Sequence, residues 1–82
     1  MTDARTWLDQ VDARTNAATD GPWEAEYSGE QGNCVLPPGA RSTREAVAVT
    51  RLYYQVADAE FIAHARTDLP AATTALRAVL DL

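Results

Sequence analysis

The chain has 82 residues, 46% of them apolar, and a formal net charge of −5. That length makes one small domain with room for a single limited core, and the apolar content excludes a disordered tail. A chain this acidic repels polyanions, which excludes general DNA or RNA binding and leaves open a local cationic pocket for a small anion.

Cys34 is the only cysteine, so no disulfide can form within the chain. No leader and no apolar run of membrane length is read, and the expectation is a soluble, cytoplasmic protein with no membrane partner. All seven basic residues are arginine. With abundant alanine this suggests a GC-rich source, so the choice of arginine over lysine says little at any one position.

In chain order, the first predicted element is a helix from Asp3 to Ala18. Its apolar stripe is Ala4, Trp7, Leu8, Val11, Thr15 and Ala18, with Thr2 or Asp3 as cap. Asp20-Gly21-Pro22 ends it, because glycine allows a left-handed turn and proline cannot continue a helix. Trp23, Ala25 and Tyr27 alternate with Glu24 and Glu26, a half-buried strand. Residues 28–33 read as a turn, Cys34 to Leu36 as a second strand, and residues 40–44 as a polar loop after Pro37, Pro38 and Gly39.

Residues 45–57 are ambiguous. The β-branched and aromatic residues favour a strand from Ala46 to Leu52, while Val49, Leu52, Tyr53 and Val56 also make a helical stripe. A strand is expected, with a helix from Glu45 to Arg66 as its rival. Asp58 then reads as the N-cap of a short helix with Phe61, Ile62 and Ala65 on its core face. Asp68 reads as the cap of a last helix, with Pro70 in the first turn and Leu69, Ala72, Leu76, Val79 and Leu80 as its stripe. The expected fold is α+β: an N-terminal helix, a small two- or three-stranded antiparallel sheet and a C-terminal helix pair over one sheet face. So small a sheet is marginal alone, and a homo-oligomer is expected.

Two blocks, "NAATDGPWEAE" (residues 16–26) and "DAEFIAHARTDLPAATTALRAVL" (residues 58–80), resemble the signature blocks of the Ead-type small early proteins of tailed phages and prophages. Ala18, Gly21, Pro22 and Trp23 fit the first. Asp58, Ala59, Phe61, Ile62, Ala63, Ala65, Pro70 and Leu76 fit the second. Asp20 stands where proline is usual, "AATTAL" replaces a leucine-richer run, and residues 28–57, where family members vary, are not matched. The resemblance implies a phage setting inside an infected or lysogenic host. It also implies an accessory role by binding, either blocking a host protein or sequestering a signalling nucleotide, as in counter-defence.

The chemistry-bearing residues point the same way. His64 lies on a helix flank with Glu60 one turn earlier. No nucleophile or second set of ligands accompanies it, so neither catalysis nor a metal is assigned, and no cofactor is expected. Arg41, Arg44 and Arg51 cluster in an acidic chain, followed by Tyr53 and Tyr54. Arginine forks suit phosphate and aromatic rings stack on bases. With His64, Arg66 and Trp23 these make the candidate ligand-binding set. The other reading of the middle segment is a solvated loop leading into a strand. Trp7 and Trp23 are expected to anchor the core. A protein–protein inhibitor or adaptor acting on a host protein is the alternative function.

Overall fold

The computed structural model describes residues 3–29, 32–50 and 56–82. A helix α1 (Ala4–Ala17) is followed by strands β1 (Glu24–Gly29) and β2 (Gly32–Leu36). A 3-10 turn (Thr43–Glu45), a two-residue strand β3 (Ala48–Val49) and a helix α2 (Val56–Leu80) complete the chain. The strands form an antiparallel meander in the order β1-β2-β3. Glu24 pairs with Leu36, Ala25 with Val35 and Glu26 with Cys34, after which the register shifts before Gly29 meets Gly32. Gly32 sits at φ 109°, a left-handed conformation that suits glycine.

β2 is central, and Asn33, Cys34 and Val35 are all buried. Val35 meets Ala59 and Ala63 of α2, and Trp23, Ala25, Val47, Ala48 and Ile62 pack around them. The helix offers alanines here, so its axis can come close to the sheet.

α1 runs antiparallel to α2, its first turns beside the last turns of α2. Arg5 donates to Asp81 at 2.8 Å and to the Leu80 carbonyl at 2.7 Å. Arg77 donates to Asp12 through Nε and Nη2, at 3.0 and 2.8 Å, and to Asp9 at 2.8 Å. The Arg77 fork therefore holds two acids one turn apart on α1, which pushes its own pKa upward. Leu8 and Val11 are the buried residues of α1.

Several expectations are corrected. The C-terminal helix pair is one 25-residue helix, with Pro70 inside it rather than in a first turn. Asp58 lies within the first turn of α2 and Asp68 in its interior, so neither is an N-cap. The helix runs through because its buried seam must stay in line. Ala59 and Ala63 face the sheet while Thr73 and Arg77 face α1, and a break at Thr67-Asp68 would take one pair out of register. Alanines after Pro70 favour the helix, and the Thr73 hydroxyl donates to the Pro70 carbonyl at 3.0 Å. Trp7 is 45% exposed and Phe61 75% exposed, so neither is a core anchor. On α2 the core face is Ala59, Ile62 and Ala63, turned from the bulkier Phe61. Of the third strand, Ala48–Val49 is paired; its expected continuation at Arg51 and Leu52 lies outside the described residues. Asp3 stands at the N-cap of α1 without a side-chain capping bond.

Candidate binding groove

Residues 18–23 leave α1 and turn back across the N-terminal half of α2. The Gly21-Pro22 peptide is cis. The Trp23 indole Nε1 donates to the carbonyls of Thr19 and Asp20, at 3.2 and 3.1 Å. Arg66 reaches over from α2, and its Nε donates to the same Thr19 carbonyl at 3.1 Å. Its guanidinium carbon stands 5.8 Å from the centre of the Trp23 ring, within range of a cation–π attraction. The close crossing requires Gly21: a Cβ there would lie 2.8 Å from Cγ of Arg66.

Beside this junction lies an open groove of about 360 Å³ between the two helices. Val11 and Thr15 of α1, with Ala18 just past its end, form one wall and Phe61 and Leu69 of α2 the other, with Trp23 at one end. Arg14 and Arg66 bring two positive charges to an apolar surface. The terminal NH2 groups of Arg66 and the whole Arg14 guanidinium have no hydrogen-bond partner among the described residues. The arrangement can take a flat apolar body and meet an anionic group at its edge.

Of the candidate residues, Trp23 and Arg66 come together here. His64 does not line the groove; it is exposed, with Nε2 3.3 Å from the Glu60 carboxylate, the flank position and partner expected. Arg41, just before the 3-10 turn, and Arg44, within it, are exposed and do not line the groove either. That turn is clamped by Glu45, whose carboxylate accepts from the backbone N–H groups of Arg41 and Ser42, while Ser42 Oγ accepts from the Arg44 N–H at 3.2 Å. Arg51, Tyr53 and Tyr54 lie outside the described residues.

Arg14 was not singled out by the sequence. The available signal was that it follows Val11 by three residues and precedes Ala18 by four, on one flank of α1. Only the docking of α2 gives that flank a facing wall. Among the described residues no group of three or more His, Cys, Asp or Glu could hold a metal ion, and no helix is long and apolar enough to cross a membrane. No family model, no curated protein and no solved structure matches the chain.

Proposed function

We propose that this chain is a small, non-enzymatic binding protein of the phage-accessory kind, serving counter-defence by sequestering a small anionic nucleotide. The resemblance of its two blocks to the Ead-type early proteins supplies the setting. The observation that carries the reading is the meeting of those blocks: Trp23 from the first and Arg66 from the second share the Thr19 carbonyl at one end of the groove. A base would lie in the apolar groove against Trp23, and its phosphate would take the guanidinium NH2 groups of Arg66 and Arg14. The groove is at the small end of the volumes that hold organic ligands, which fits one nucleotide unit rather than a polymer.

Calorimetric titration with a panel of linear and cyclic nucleotides, alongside native mass spectrometry of the purified protein, tests this. The expected result is binding of at least one of them. Arg14→Ala and Arg66→Ala should each weaken it roughly 10- to 100-fold, the range of a charge-assisted hydrogen bond. Arg14→Ala is the cleaner variant, because Arg66 also braces the Thr19 turn. No binding across the panel, or wild-type affinity in both variants, would sink the reading.

A further inference from the structure

α2 carries a second apolar stripe that its own chain leaves uncovered. Phe61, Ala65, Leu69, Ala72, Leu76 and Val79 recur at steps of four, four, three, four and three residues, the period of a straight α-helix. None carries a charge. Phe61 is 75%, Leu69 44%, Leu76 37% and Val79 60% exposed. The stripe lies roughly 120° around the helix from the Ala59, Ala63, Thr73 and Arg77 seam, at about 100° per residue. Trp7 stands on the matching flank of α1 and is also exposed.

We infer that a second copy of this chain covers the stripe, in a two-fold dimer with the two α2 helices antiparallel and centred between Pro70 and Ala71. Two observations select this occupant. The first is area. The chain exposes 5845 Å², roughly 1,000 Å² more than a monomeric protein of its mass. Its radius of gyration is 15.1 Å, against about 12 Å for a compact domain of this length. An elongated chain with this much surface has room for the roughly 800 Å² per partner that a stable interface buries.

The second is self-complementarity. Reversed about its centre, the stripe sets Ala65 opposite Leu76 of the partner subunit and Leu69 opposite Ala72 of the partner subunit, with Phe61 within one residue of the partner's Val79. Each central large residue meets a small one, which is what interdigitation across a two-fold axis requires. The pairing places Leu76 of the partner subunit at the rim of the groove beside Ala65, so the groove becomes a pocket between subunits. The inference does not depend on any ligand, and its test uses none.

The test is mass and cross-linking on the full chain. Native mass spectrometry and light scattering should give twice the 8.9 kDa chain mass. Leu69→Glu should weaken association roughly 100-fold or more, since two buried leucines are lost per dimer, while circular dichroism keeps its helical signal. Independently, chains carrying Ala65→Cys mixed with chains carrying Leu76→Cys should form a mixed disulfide on mild oxidation. Neither should cross-link to itself, because like positions lie about 16 Å apart along the helices. The cross-link remains decisive if Leu69→Glu unfolds the protein. A monomeric mass at all concentrations, a dimer untouched by Leu69→Glu, or self-linking of either cysteine variant in preference to the mixture would overturn the inference.

Discussion

Thr19, Gly21, Trp23 and Arg66 form one small machine of backbone and side chain. A single carbonyl takes the indole and the guanidinium, and the glycine leaves the space the guanidinium stem fills. Gly21→Ala should therefore drive Arg66 off the Trp23 ring, since the clash is with Cγ, close to the backbone, and not with a freely moving tip. The expected cost is about 1–3 kcal/mol, as for overpacking elsewhere, with a change in tryptophan emission. A denaturant melt followed by fluorescence checks both. At this scale the sequence was partly legible. Trp23 and Arg66 were both named, and the helical wheel put His64 on a flank beside Glu60, where it lies. Trp7 and Phe61 depart from the expectation that large apolar residues point inward, because the close helix–sheet approach is made by Ala59 and Ala63.

Among the elements, α1 and β1 are readable from periodicity, and β2 from the turn before it and the Pro37-Pro38-Gly39 break after it, although it starts at Gly32, inside the expected turn. Helical spacing buried Leu8 and Val11, and alternation set Trp23 and Ala25 against the core. α2 was read as two helices because Thr67-Asp68 before Leu69-Pro70 looks like a cap and first turn. Local preference lost to a tertiary demand: Arg77 must reach Asp9 and Asp12 while Ala63 stays on Val35. Pro70 then sits inside the helix without a backbone donor for the Arg66 carbonyl. Pro70→Ala should restore that donor and raise the stability of α2, by at most about 3 kcal/mol. Thermal melts by circular dichroism should show a higher midpoint. An unchanged or lower midpoint would mean that the ring's contacts in the groove outweigh the missing bond.

For the molecule as a whole, the sheet centre gives a measurable handle. Cys34 is buried in β2, and burial first, then the nearby Glu26 carboxylate, raises its thiol pKa. The folded state then holds the thiol proton more tightly than the unfolded state does. This contribution to stability is whole below the ordinary thiol pKa, about 8.5, and is lost as pH rises through the raised value. Unfolding free energy should fall on the alkaline side, and Cys34→Ala should show a shallower fall over the same window. Urea melts from neutral to alkaline pH measure it.

Composition, charge and the two periodicities by themselves determined a small acidic α+β chain, its N-terminal helix, its first two strands and the residue types at the Trp23 junction. These are local properties, carried by spacing of two or about 3.6 residues and by the turn and proline residues between elements. Tertiary structure alone decided that α2 is continuous, that Arg14 joins Trp23 and Arg66 around one groove while Arg41 and Arg44 stay apart, and that α2 buries Ala59 and Ala63 while Phe61, Leu69 and Leu76 stay exposed. Those outcomes depend on which of two apolar stripes on one helix meets the sheet. Periodicity shows the stripe of large residues, but the face that meets the sheet is set by how closely the helix can approach and by the Arg77 ion pairs, which hold residues far apart in the chain.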